Sequence, residues 1–170
     1  IFIIFINSLM KEVKKVLIEK LNIDSQKLLV VENGIDLDKI NKASKADRSV
    51  FGYDNNDLIL IMTAGFREQK DQDTVIKTLE KLPAQYELLL IGDGERRSIL
   101  ENLAHSLNVA NRVQFLGTRD DVYPLTKMAD IAVLSSHWEG FGLAAAEAMA
   151  CGTPTIASNV PGLAQVVENG

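Results

Sequence analysis

The sequence contains very little cysteine, and its N-terminal apolar run is short. Cys151 is the only cysteine among 170 residues, which excludes an internal disulfide and a metal site built from several cysteines. The apolar run from Ile1 to Ile6 is much shorter than the ~20 residues that a membrane-spanning helix needs. It also lacks the basic flank of a signal peptide, so we interpret it as a buried strand.

Positive charge is not concentrated in any part of the chain. The sequence has 18 Lys and Arg against 23 Asp and Glu, a net charge of −5, and no long basic run. A nucleic-acid surface needs clustered cations, so we expect no nucleic-acid partner. A local phosphate site is still compatible with this charge. The length and the hydrophobic content of 46% suit one globular domain of ordinary size with its own core.

Short apolar segments alternate with helical patterns along most of the chain. The predicted strands cover 1–6, 27–31, 58–62, 86–91, 113–116, 131–134 and 155–157, and the predicted helices cover 8–21, 72–82, 96–107, 121–128 and 143–151. The segment 38–57 is polar and is predicted to be a linker. Continuous apolar strands that alternate with helices are typical of a doubly wound parallel sheet, so we predict a Rossmann-like α/β fold.

The most informative segment, 136–154, joins a strand, a glycine-rich loop and a helix of small residues. It carries two carboxylates, Glu139 and Glu147, with Gly140 and Gly142 between them. In an open parallel sheet such a loop lies at the carboxyl end of a strand, where ligands bind. The N–H groups of a helix start attract phosphates, and a carboxylate accepts hydrogen bonds from sugar hydroxyls. The layout predicts a phosphate and a polyol side by side, with two unrelated surface glutamates as the alternative.

Two further strand-to-helix loops contain candidate ligand residues. The segment 64–71 carries Arg67 and Lys70, and two cations at such a place suit a diphosphate, with a solvated helix start as the alternative. The segment 92–96, Gly-Asp-Gly-Glu-Arg, is compatible with an approach to a nucleotide and with a simple tight turn. It is not a dinucleotide fingerprint, because Arg97 stands where that motif has its third glycine.

Histidine is also sparse. His137 has no second histidine or cysteine at ligand spacing, so we expect no metal ion. No set of serine, histidine and aspartate and no cysteine nucleophile is arranged for covalent chemistry. Trp138 is interpreted as a side chain that packs against the glycine loop, and Cys151 as a small buried apolar residue.

The segment from Glu139 to Pro154 resembles the E-x7-E signature of the retaining glycosyltransferase family 4, whose members have the two-domain GT-B fold. Other stretches that match the family in order are Asn33-Gly34-Ile35-Asp36, the Lys70 loop, Ile91-Gly92-Asp93-Gly94-Glu95, Phe115-Leu116-Gly117, Ser135-Ser136 and Pro161-Gly162-Leu163. The resemblance implies that 1–37 end the first domain and cross over, that 38–57 are the linker, and that 58–170 form the nucleotide-sugar-binding second domain.

The resemblance also implies roles for individual residues. Glu147 would accept hydrogen bonds from the ribose, and Glu139 would face the donor sugar and its reacting end. Lys70 would neutralise the phosphates and stabilise the charge that builds on the leaving diphosphate. Backbone N–H groups of Phe141, Gly142 and Leu143 would hold the diphosphate, and Gly117, Thr118 and Arg119 would lie beside the base.

One position departs from the family pattern. Many members carry an arginine five residues before the lysine of this loop, where the present chain has Gly65. Arg67 stands two positions later and is therefore the candidate for the second cation.

The implied function is the donor-binding half of a glycosyltransferase. Such an enzyme would move a hexose from a UDP- or GDP-sugar to a glycan or lipid acceptor, without a metal or other cofactor. The implied location is cytoplasmic, peripheral to the inner face of the membrane. The missing initiator methionine and the lack of a predicted closing helix suggest a piece of a longer protein, and we expect that piece to be inactive by itself.

Several other functions are compatible with the same residues. A nucleotide-sugar epimerase or a phosphorylase of the same fold would keep a related site, although no segment suggests the lysine that holds pyridoxal phosphate in the latter. A non-catalytic nucleotide-binding module would keep the pocket alone. A plain NAD-binding domain is disfavoured by the missing third glycine.

Overall fold

The computed structural model describes residues 4–7, 10–31 and 33–168. Strands β1 (Ile4–Asn7) and β2 (Leu28–Val31) form a small parallel sheet of their own, joined by helix α1 (Met10–Leu21), and helix α2 (Leu37–Lys42) follows. The predictions for positions 1–3 of the first strand and 8–9 of the first helix lie outside the described residues.

A five-stranded parallel sheet forms the main body. Its strands are β3 (Leu58–Thr63), β4 (Tyr86–Ile91), β5 (Val113–Gly117), β6 (Ile131–Leu134) and β7 (Thr155–Ala157), in the spatial order β5-β4-β3-β6-β7. Successive strands are connected by α3 (Gln72–Leu79), α4 (Arg97–Ser106), α5 (Val122–Met128) and α6 (Leu143–Ala150), and α7 (Pro161–Ala164) follows β7. The predicted doubly wound, Rossmann-like fold is confirmed.

The two central strands are apolar on both faces because helices cover both sides of the sheet. Leu60 and Leu88 face the cluster that includes α3 and α4. Ile61 and Leu89, the next residue along each strand, face the cluster that includes α5 and part of α6. All four side chains are nearly or fully buried. Successive residues of a strand point to opposite faces, so a continuous apolar run supplies both layers of the core.

The strand order creates a crevice at the centre of the sheet. β3 and β6 are neighbours, with Leu60 paired to Ile131 and Ile61 to Ala132, although β4 and β5 lie between them in sequence. The chain leaves β3 toward one edge of the sheet and β6 toward the other. The loops at their carboxyl ends therefore diverge, which is the position where open α/β sheets bind ligands.

The polar segment 38–57 contacts the main domain at several points. Ile40 of α2 is fully buried. Lys127 of α5 donates to the carbonyl oxygens of Ile40 and Ala43, both at 2.7 Å. Arg48 forms an ion pair with Asp130 at 2.6 Å. Composition alone predicts a linker here. The structure shows that this stretch also has a helix and a buried anchor, while the domain boundaries themselves stay a prediction.

Within residues 4–7, 10–31 and 33–168, no helix has both the length and the apolar character that crossing a bilayer requires.

Candidate active site

Lys70 and Glu139 form an ion pair at the carboxyl ends of β3 and β6. Nζ of Lys70 contacts Oε1 of Glu139, and the two side chains are 23% and 9% exposed. Ser136 donates its hydroxyl to the same carboxylate oxygen at 2.8 Å and is itself buried. Two donors therefore hold a carboxylate that is largely removed from water, where charge-assisted hydrogen bonds are strong.

The backbone of the Lys70 loop is attached to the end of β6. The hydroxyl of Ser135 donates its single proton toward two carbonyl oxygens, that of Asp71 at 2.7 Å and that of Lys70 at 3.0 Å. Asp71 has a φ of 50°, in the left-handed region, and its carboxylate caps α3 through the N–H and hydroxyl of Thr74. The turn and the cap together determine where Lys70 projects.

Two glycines allow helices to approach the Glu139 loop closely. A Cβ atom at Gly162 would lie 2.0 Å from the carbonyl oxygen of Glu139, so only glycine fits there. Gly142 has a φ of 80°, and a Cβ there would lie 2.4 Å from Cδ2 of Leu163. Gly142 is also the N-cap of α6, and no side chain of the described residues caps this helix. Its first N–H groups are thus available to water or to an anion.

A cleft of about 260 Å³ lies over the crevice between β3 and β6. Its lining combines the end of β3, the Lys70 loop, the start of α6 and the segment after β2; the residues are Asn33, Met62, Thr63, Ala64, Lys70, Leu134, Ser136, Glu139, Phe141, Gly142, Leu143 and Ala144. The volume is close to the lower end of the range for small-molecule sites. The structure thus places Lys70, Glu139 and the Phe141–Leu143 segment in one cleft.

Glu147 lies next to this cleft, further along α6. A narrow crevice lined by Glu147 shares Thr63, Leu134 and Ala144 with the larger cleft. The hydroxyl of Tyr123, on α5, donates to Oε1 of Glu147 at 2.8 Å. That hydrogen bond, followed by burial and the charge of Glu147, raises the pKa of Tyr123 to about 12. The two carboxylates of the predicted signature therefore line adjoining cavities.

Four predicted residues, Arg67 and the Gly117–Arg119 segment, do not line the cleft. Arg67 is exposed, and its Nε lies 3.8 Å from where a Cβ at Gly65 would stand. Arg119 forms a two-pronged ion pair with Asp121, with both contacts at 2.6 Å. The hydrogen bonds of this pair raise the pKa of Arg119 and lower that of Asp121. The guanidinium of Arg119 is therefore already engaged.

The prediction for Trp138 is wrong. Its side chain is 59% exposed and its ring stacks on that of His137, with the centroids 6.3 Å apart. The backbone of Trp138, by contrast, is hydrogen-bonded: its carbonyl oxygen accepts from the side-chain amide of Gln69 at 2.7 Å. The glycine loop thus directs the ring away from the sheet.

Cys151 is only partly buried, and burial raises the pKa of its thiol.

Sequence reasoning missed Tyr123 and assigned no role to Ser136. Ser136 was at least part of a stretch that matches the family, three residues before Glu139. Tyr123 lies on another helix, 24 positions before its partner, and no spacing signal links residues at such a separation. Among the residues that the structure describes, no group of three or more His, Cys, Asp or Glu side chains is arranged to hold a metal ion.

Comparison with known proteins places this site in a family. Residues 43–170 match the family model described as glycosyl transferases group 1. The chain belongs to the group 1 glycosyl transferases. The matched range includes Lys70, Glu139 and Glu147.

Two curated relatives illustrate the range of proteins similar to this group 1 glycosyl transferase. N-acetyl-alpha-D-glucosaminyl L-malate synthase of Bacillus anthracis is 37% identical over 122 residues, which is 71% of this chain and 32% of that protein. UDP-Gal:alpha-D-GlcNAc-diphosphoundecaprenol alpha-1,3-galactosyltransferase of Escherichia coli is 32% identical over 168 residues, which is 93% of this chain and 43% of that protein. The chain thus spans less than half the length of these relatives.

Solved structures give the same fold. Anabaena HepE in complex with UDP and glucose has a TM-score of 0.82 and 25% identity, over 98% of this chain and 47% of that one. A glycosyltransferase from Rickettsia africae has a TM-score of 0.81 over 96% of this chain and 46% of that one, and at 24% identity it shows the fold alone. The main sheet of this group 1 glycosyl transferase is therefore that of the second domain of GT-B enzymes.

Proposed function

We propose that this chain is the donor-binding half of a retaining, family 4 glycosyltransferase that transfers a hexose from a nucleotide-diphosphate sugar to a glycan or lipid acceptor. The observation that carries the proposal is the Lys70–Glu139 pair in a cleft at the switch point of the sheet. The similarity to HepE, which was solved with UDP-glucose, supports UDP-sugars as donors, and GDP-sugars are the alternative.

Lys70 acts on the diphosphate. Its ammonium group is paired with Glu139, so we infer that a bound donor takes over part of this contact. The ammonium group and the N–H groups of Phe141, Gly142 and Leu143 then stabilise the negative charge that develops on the leaving diphosphate. These groups supply positive charge without a metal ion, and we propose a metal-independent reaction. Arg67, whose side chain lies beside Gly65, is the proposed second cation.

Glu139 and Glu147 have separate tasks. Lys70 and Ser136 both contact Oε1 of Glu139, so we assign Oε2 to the hydroxyls of the donor sugar. Glu147, in the adjoining crevice, is assigned to the ribose hydroxyls. The base is assigned to the backbone of Gly117–Arg119, because the guanidinium of Arg119 is engaged by Asp121.

The acceptor is assigned to protein outside this chain. The chain spans less than half the length of its curated relatives, and its cleft and the adjoining Glu147 crevice are already assigned to the donor. We propose that the chain by itself binds donor without transferring sugar. The proposed location of the whole enzyme is the cytoplasmic face of the membrane, as the family resemblance implies.

Calorimetric titration tests the proposal. UDP or GDP should bind the chain, and Glu147→Ala should weaken binding at least about tenfold, the effect of losing charge-assisted hydrogen bonds. Glu80→Ala, an exposed glutamate at the end of α3, is the matched control and should leave binding unchanged. Failure of the unaltered chain to bind any nucleoside diphosphate would contradict the proposal. In the whole enzyme, UDP release that depends on an acceptor distinguishes a transferase from an epimerase.

A further inference from the structure

We infer that Tyr123 is a positioning residue for Glu147 and strengthens the recognition of the ribose hydroxyls by that carboxylate. The inference rests on the proposed function, because it takes Glu147 to be the ribose acceptor. The family resemblance assigns no role to Tyr123, and its role is argued from its contact with Glu147 in the structure.

The contact joins two neighbouring helices. Tyr123 lies in the first turn of α5 and donates to Oε1 of Glu147 on α6 at 2.8 Å. The helices are also linked by a buried hydrogen bond, in which the hydroxyl of Thr153, just after α6, donates to the carbonyl of Thr126 at 2.8 Å. This second link is independent of Tyr123. Removing the tyrosine hydroxyl therefore leaves the helix pair connected while it frees the carboxylate.

The ring of Tyr123 has a second contact, with a residue of α2. Nζ of Lys39, on α2, lies 5.7 Å from the centroid of the ring, within the range of a cation–π contact. α2 is in turn attached to α5 by the two hydrogen bonds from Lys127 to the carbonyl oxygens of Ile40 and Ala43. The ring contact with Lys39 and the hydrogen bond to Glu147 together restrain the direction of the Tyr123 hydroxyl.

A fixed hydroxyl donor changes what Glu147 can do. A free glutamate side chain has three rotatable bonds, and a ligand that binds it must first select one conformation, at an entropic cost. The Tyr123 hydroxyl uses one lone pair of Oε1. It leaves the second lone pair and all of Oε2 for a pair of neighbouring ribose hydroxyls. Tyr123 thus prepares the carboxylate for a vicinal diol.

A purely structural hydrogen bond makes a different prediction. If the Tyr123–Glu147 contact only stabilised the fold, its loss would weaken the binding of every nucleoside diphosphate to the same extent. If Tyr123 positions Glu147, its loss matters only when the ligand has ribose hydroxyls. Energetic coupling between the tyrosine hydroxyl and the ribose hydroxyls therefore separates the two roles.

The experiment is a calorimetric comparison of Tyr123→Phe with the unaltered chain. The ligands are the nucleoside diphosphate that binds, UDP or GDP, and its 2′,3′-dideoxy counterpart. We expect Tyr123→Phe to weaken the binding of the ribose ligand by about fivefold to tenfold. Binding of the dideoxy ligand should weaken by less than about twofold. In a Glu147→Ala background, which removes the acceptor, Tyr123→Phe should change the affinity for the ribose ligand by less than about twofold.

The control is Tyr53→Phe, which removes a buried hydroxyl that has no hydrogen-bond partner in the structure and should leave both affinities unchanged. An equal loss for the ribose and dideoxy ligands, or no loss for either, would show that Tyr123 does not position Glu147. An unaltered chain that binds neither ligand would instead contradict the proposed donor site. The two failures are therefore distinguishable.

Discussion

Lys70 and Glu139, which are 69 positions apart in the sequence, meet as an ion pair across the boundary between β3 and β6. Lys70 follows β3 and Glu139 follows β6, which are neighbours in the sheet. The reversal of strand order at this point brings their two loops together. The cation assigned to the phosphates is therefore paired with the carboxylate assigned to the sugar. This relationship has a direct consequence for binding.

Glu139→Gln should bind UDP or GDP more tightly than the unaltered chain. The substitution removes the charge that competes with the diphosphate for Lys70, and we expect a gain of about threefold to tenfold in affinity. Titration calorimetry measures the effect. Glu80→Gln is the control, since Glu80 is exposed and outside the cleft. An affinity equal to or below that of the unaltered chain would mean that the pair does not compete with the ligand.

Lys70→Met should weaken the binding of the same nucleoside diphosphate by about tenfold to hundredfold, because one charge-assisted contact to the phosphates is lost while the length of the side chain is kept. The dependence of affinity on salt concentration should also become less steep. Titrations at low and high sodium chloride test both points. Lys77→Met, at an exposed position of α3, should behave like the unaltered chain. An unchanged salt dependence in Lys70→Met would argue against a phosphate contact.

Gly162→Ala should destabilise the fold by about 1–3 kcal/mol, the range typical of overpacked sites. The added Cβ would lie 2.0 Å from the carbonyl oxygen of Glu139, and backbone cannot move aside as a flexible side chain can. Urea unfolding provides the measurement. Gly34→Ala is the matched control, because a Cβ there would meet no atom of the described residues within 4 Å. A similar free energy of unfolding for both variants would show that the helix α7 can shift without cost.

Tyr53→Phe should leave the free energy of unfolding unchanged or raise it by up to about 1 kcal/mol. The hydroxyl of Tyr53 is buried and has no hydrogen-bond partner among the residues that the structure describes, so its removal eliminates a desolvation cost and no bond. Burial, Glu87 and Asp57 all raise the pKa of this tyrosine.

Thr153→Val provides the contrast to Tyr53→Phe. It removes a buried hydroxyl that donates to Thr126, and it should cost about 1–2 kcal/mol. Thermal and urea unfolding of the two variants side by side would test this pair of expectations. A loss of stability in Tyr53→Phe as large as that in Thr153→Val would imply a partner for the Tyr53 hydroxyl.

Local patterns predicted most elements of the main sheet. The bounds of β4, β6 and β7 agree with the predicted strands, because each is a short apolar run that ends at polar or glycine residues. α2 and α7 were not predicted. Both are too short to show a helical period, and they are held by contacts with distant residues, such as those from Lys127 to α2.

The sequence by itself determined the α/β fold class, the glycine-rich loop with its two carboxylates, and the family to which the chain is similar. These depend on residue type and on spacing over a few positions, which local backbone geometry controls. Only the tertiary structure decided that Lys70 pairs with Glu139, that Tyr123 holds Glu147, and that Trp138 is exposed. Such contacts depend on which strands and helices become neighbours, and that is set by the packing of the whole sheet.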